Sequence, residues 1–90
     1  PRQHVNSIFD LSDSDQAELW KLVAQVRTAL VDQLSPDGFN IGINDGETAG
    51  QTVPHAHVHV IPRYQGDVPD ARGGVRWVIP EKAVYWEDPS

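Results

Sequence analysis

Three of the chain's four histidines fall within five residues, at His55, His57 and His59, with Ala56 and Val58 between them and Val60 and Ile61 following. Alternate side chains of an extended segment share a face. The spacing therefore predicts an imidazole row on one side and Ala56, Val58 and Val60 turned toward a core on the other. Imidazole can shuttle a proton, attack an electrophile or ligate a metal, and two chemistries compete. In one, the row holds zinc. At a rise of about 3.3 Å per residue, however, His55 and His59 stand about 13 Å apart along a strand, too far to meet on an ion whose ligands lie at about 2.0 to 2.1 Å. The chain also has no cysteine, so a further ligand would have to be a carboxylate or His4. In the other chemistry, a neutral imidazole attacks phosphorus while its neighbours donate hydrogen bonds to the oxygens that gain charge. The spacing fits the second better.

The residues ahead of the row suit an anion. Asp45-Gly46 opens a turn, Gly46 and Gly50 free the loop to aim its N–H groups at a phosphate, and Thr52 adds a hydroxyl. The loop is not a P-loop, because Gly50-Gln51-Thr52 has Gln where the phosphate-binding lysine would stand. Kinase and nucleotide-switch readings lose their main part. Arg63, Arg72 and Arg76 follow the row, either as a source of local positive potential or as ordinary surface arginines.

Three passages must position these groups. From Ser12 to about Leu34, Leu19, Leu22, Val23, Val26, Ala29 and Leu30 recur at steps of three and four, the stripe of an amphipathic helix. Ser12 with Asp15 forms a capping signal, and Asp13, Asp15 and Glu18 set negative charge at the positive end of the helix dipole. The acidic run from 10 to 18 is thereby explained without a metal. Ser35, Pro36, Asp37 and Gly38 stop the helix. Residues 38 to 44 alternate Phe39, Ile41 and Ile43 with Asn40, Gly42 and Asn44, which predicts a strand; a second is expected from Val53 to Ile61, antiparallel to the first. Beyond Pro62 the chain turns irregular, with Val75, Trp77 and Ile79 suggesting a short strand and Tyr85 and Trp86 suited to covering a core or a subunit contact.

Ninety residues suffice for one small domain and no second core. Hydrophobic residues at 39% and charged residues at 22% describe a globular composition. No apolar run reaches the roughly 18 residues of a membrane span. Thirteen acidic against seven basic residues give a net charge of -6, the wrong sign for a surface that neutralises many phosphates of long nucleic acid. A small anion in a local pocket is compatible with it. The lack of cysteine fits a reducing compartment, with the cytoplasm as default. A first residue of Pro1 and no Met read as part of a longer product.

The run His55-Ala56-His57-Val58-His59-Val60-Ile61, preceded by Asn44-Asp45-Gly46 and Gly50-Gln51-Thr52-Val53, resembles the histidine triad (HIT) family of nucleotide hydrolases and transferases. The continuation Pro62-Arg63-Tyr64, Gly66-Asp67 and Gly73 to Pro80 is similar to bacterial diadenosine polyphosphate hydrolases of the fragile-histidine-triad type. The purine phosphoramidase branch usually continues differently.

This resemblance runs from Pro1 to about Trp86 and implies an α+β fold, an antiparallel sheet packed on one helix, forming the C-terminal part of a HIT domain. The whole of 1–90 is expected to be one HIT-like domain truncated at its N-terminus. Family members carry further strands before the segment matching Pro1 to Val5, with much of the nucleoside pocket and another histidine. His4 matches a different position, Pro-x-x-His, and is assigned no catalytic role. The resemblance makes His57 the nucleophile, His59 the donor to the leaving oxygen and His55 the holder of the network. The same resemblance implies that Asn44 binds near the scissile phosphate or its leaving group and that Gly50, Gln51, Thr52 and Val53 line the phosphate site. It implies hydrolysis of a nucleoside phosphoanhydride such as a diadenosine polyphosphate, through a nucleotidyl-histidine intermediate. The alternative is a non-catalytic nucleotide-binding module or an inactive truncated domain. No cofactor is built in, Mg²⁺ arriving only with the substrate, and the expected partner beyond the nucleotide is a second copy in a homodimer.

Overall fold

A computed structural model describes residues 5–86. His4 lies outside them. Helix α1 spans Asp13–Leu34, and its start follows the local signal: Ser12 Oγ accepts from the Asp15 N–H at 3.1 Å. At the other end the left-handed residue is Ser35, with φ of 48°, and its N–H donates to the Val31 carbonyl at 3.0 Å. The helix stops within the run from Ser35 to Gly38, whose last residue opens the next strand.

Strands β1 (Gly38–Gly42) and β2 (His59–Arg63) pair antiparallel, with Gly38 opposite Arg63 and Gly42 opposite His59. The fold is α+β, as expected. The second strand begins later than the alternation suggested, because strand status needs a ladder partner and β1 ends at Gly42. Residues 55–58 have no β1 partner, and Pro54 has no N–H to give. The Ala56 N–H instead donates to the Val5 carbonyl at 2.7 Å.

The helix stripe is only partly covered. Val23 is buried with Ile8 and Leu11 from the segment before the helix, whereas Leu22 and Val26 are exposed. Between this stripe and Ala56, Val58 and Val60 lies an apolar cavity of about 550 Å³. A short strand at Val75 to Ile79 does not form. Gly74–Val78 is a 3-10 turn entered through Gly73 and Gly74 at φ of 93° and 50°, and the Trp77 indole N–H donates to the Arg72 carbonyl at 2.7 Å. Such local bonds favour a tight turn over an unpaired strand.

Candidate functional site

Residues 43–58 join the two strands and carry most of the chemistry. Their loop is internally braced. Gly46, Ala49, Gly50 and Gln51 spend their N–H groups inside it, on Gln51 Oε1 and the carbonyls of Gly46 and Glu47. Gly46 and Gly50 both sit at φ of 99°, a region glycine enters without steric cost. The next two amides, of Thr52 and Val53, have no partner among the described residues.

The loop closes against β2. Asn44, Gly50, Gln51, Thr52, Val53, His57 and His59 border one cavity of about 210 Å³. All the expected site residues except His55 meet there. The Asn44 amide lies close to Gly50, whose built Cβ would stand 3.7 Å from Asn44 Nδ2. Neither Asn44 nor the rings of His57 and His59 make a hydrogen bond among the described residues. Among the described residues no backbone carbonyl accepts a hydrogen bond from the His57 ring.

His55 is placed differently. It borders the apolar cavity beneath α1, and its ring centroid is 4.9 Å from that of His57 with the planes tilted by 44°. The row therefore does not present three side chains on one flat face: His59 stands in a strand, while His55 and His57 sit on the bent segment before it.

The arginines that follow the row lie outside the cavity lining. Arg63 is held by Asp67, through contacts of 2.7 and 2.8 Å, and by the side-chain Oδ1 of Asn40. Arg72 pairs with Asp70 at 3.0 Å, and Arg76 donates to the carbonyls of Lys82 and Ala83. The ion pair with Arg63 and the Tyr64 N–H hold the Asp67 carboxyl far below the usual carboxylate range. All three arginines are engaged in pairing within the fold, away from the cavity lining. Sequence reasoning missed the bracing role of Gln51, whose Nε2 donates to the Asn6 carbonyl at 2.7 Å. No local signal announces a bond across 45 residues.

Residues 1–66 match the family model described as the HIT domain. The chain belongs to the HIT family. One HIT relative, the "Bis(5'-nucleosyl)-tetraphosphatase [asymmetrical]" of Schizosaccharomyces pombe, is 43% identical over 67 residues, covering 74% of this chain and 37% of that protein. The crystal structure of a HIT family protein from Bacillus anthracis aligns with a TM-score of 0.67 at 39% identity, covering 73% of this chain and 47% of the other. A histidine triad family protein from Mycobacterium smegmatis, described as zinc-bound, aligns with a TM-score of 0.66 at 33% identity over 92% of this chain and 65% of its own. The chain thus spans less than half the length of the first two HIT proteins. Among its described residues no group of three or more His, Cys, Asp or Glu is arranged to hold a metal ion. No helix among them is long and apolar enough to cross a membrane.

Proposed function

We propose that this chain carries the histidines and phosphate loop of a hydrolase that cleaves nucleoside phosphoanhydrides, dinucleoside polyphosphates among them. The observation that carries this reading is the meeting of His57 and His59 with Asn44 and the 50–53 loop around one small cavity. The name of the fission-yeast relative supports the substrate class.

In the first step His57 Nε2 forms a bond to the α-phosphorus as the bond from phosphorus to the leaving oxygen breaks. That oxygen keeps the electron pair and takes a proton from His59. Water, giving a proton to the now neutral His59, then adds to phosphorus, the N–P bond breaks, and the nucleoside monophosphate departs with His57 and His59 both restored. The free amides of Thr52 and Val53, the Thr52 hydroxyl and the Asn44 amide are the donors available to the phosphoryl oxygens, where charge grows in the transition state. His55, whose ring lies 4.9 Å from that of His57, acts as a positioning residue.

The chain is read as one part of a single HIT domain. Exposed Trp20, Val31 and Leu34 share one side of α1 and support a homodimer, since apolar side chains grouped on one helix face call for a cover. The absence of cysteine supports a cytoplasmic location. The test is release of AMP from diadenosine tetraphosphate: the protein releases it, and His57→Asn, folded by circular dichroism, does not. Equal release by both would overturn the reading.

A further inference from the structure

The chain contains two Asp-Gly pairs, Asp37-Gly38 and Asp45-Gly46. In such a pair the glycine nitrogen can attack the carboxyl carbon of the aspartate side chain, because glycine has no Cβ to block the approach. The fold treats the two pairs differently. The Asp37 carboxylate accepts the Gln65 N–H at 2.8 Å, the Asp37 N–H donates to the Arg63 carbonyl at 2.9 Å, and Gly38 is fixed as the first residue of β1. Asp45 and Gly46 are exposed and lie outside both strands, and the Asp45 carboxyl makes no hydrogen bond or ion pair among the described residues. A Cβ built on Gly46 would meet nothing within 4 Å, so no packing opposes its rotation.

One contact does oppose it. The Gly46 N–H donates to Gln51 Oε1 at 2.8 Å, and Gln51 is itself tied to the Asn6 carbonyl at 2.7 Å. The Gly46 nitrogen has to shed that proton to attack. A hydrogen bond donated by the amide is lost in doing so, which slows the reaction as it slows amide hydrogen exchange.

We propose that Asp45-Gly46 is a site of spontaneous modification, at which aspartate becomes isoaspartate, and that the Gln51 side chain sets its rate. The Gly46 nitrogen forms a bond to Asp45 Cγ while the hydroxyl of the carboxylic acid and the proton of the nitrogen leave as water, closing a succinimide. Water then adds to the main-chain carbonyl carbon of Asp45. The bond from that carbon to the Gly46 nitrogen breaks, and the nitrogen takes a proton and stays bonded to Cγ. Mass is unchanged, but Asp45 Cβ now lies in the main chain between Asn44 and the amides of Thr52 and Val53. On the hydrolase reading, on which this last consequence rests, the longer main chain displaces the phosphate donors and inactivates the site.

The experiment ages the protein, Gln51→Ala and Asp45→Glu in mildly acidic buffer beside a free peptide of residues 42–52. Isoaspartate is measured by methyl transfer from S-adenosylmethionine with isoaspartyl methyltransferase and located by electron-transfer fragmentation. It is expected at Asp45 and not at Asp37, more slowly in the folded protein than in the peptide, and faster by about threefold or more in Gln51→Ala. Asp45→Glu, which would have to close a larger ring, is expected to form none there. Isoaspartate at Asp37 ahead of Asp45, or none at Asp45 in either the protein or Gln51→Ala, overturns the site. Equal rates with and without the Gln51 side chain overturn its role. Urea below the unfolding transition tests the same contact without a substitution: exchange of the Gly46 amide and isoaspartate formation are expected to rise together, and a rise in exchange alone overturns that role. Purified isoaspartyl protein is expected to lose most of its release of AMP from diadenosine tetraphosphate, and full retention overturns the inactivation. Fresh protein that releases no AMP overturns the hydrolase reading, and the inactivation with it, while the rates of isoaspartate formation still decide the site.

Discussion

Gln51 fastens the loop ahead of the histidines at two points: its Oε1 accepts from the Gly46 N–H at 2.8 Å, and its Nε2 donates to the carbonyl of Asn6 at 2.7 Å. Loops that bind anions through main-chain amides work only if those amides are held in place before the ligand arrives. Replacing the side chain removes the brace and leaves both histidines untouched.

Gln51→Ala is accordingly expected to raise KM for diadenosine tetraphosphate severalfold more than it lowers kcat. It should cost roughly 1 to 3 kcal/mol of stability for the two lost bonds. Steady-state kinetics and urea unfolding check both. A fall in kcat at constant KM would assign Gln51 to the chemical step instead.

The clamp between Arg63 and Asp67 sets a pH dependence of stability. Arg63 and the Tyr64 N–H lower the carboxyl pKa in the folded state, so the ionised form is favoured by folding. The contribution is present above the unfolded carboxyl value of about 3.9 and disappears as pH falls through the lower folded value. Asp67→Asn should melt below the unsubstituted protein at neutral pH, with the gap constant from pH 7 to 5 and narrowing in stronger acid. A gap that changes between pH 7 and 5 would place its origin in another group.

Metal removal should leave the fold intact. Folding that depends on a structural ion collapses when the ion is chelated, whereas the described residues hold no cluster suited to one. Dialysis against EDTA is expected to leave the melting temperature unchanged. A drop restored by zinc would revive a metal role for the histidines.

What the sequence made legible was local. The Ser12 cap depends on residues three apart, and the helix stripe on steps of three and four, so both could be read without tertiary knowledge. The histidine spacing and glycine pattern likewise led to the residues that border the cavity. Less legible was whatever depends on a distant partner. The second strand starts at His59, not Val53, because β1 ends at Gly42. Val75 to Ile79 alternates like a strand, but Gly73 and Gly74 turn it into a 3-10 coil. The departure of His55 from the row follows from the same bend, where the Ala56 N–H is taken by Val5.

The most direct measurement of the central claim is a single-turnover reaction with excess enzyme over diadenosine tetraphosphate, quenched in alkali, where an N–P bond survives, and read by intact-mass and peptide mass spectrometry. The account predicts a transient adduct of one AMP on the peptide bearing His57, formed and lost at rates compatible with turnover and absent from His57→Asn. AMP release with no adduct, or an adduct on His55 or His59, would contradict it.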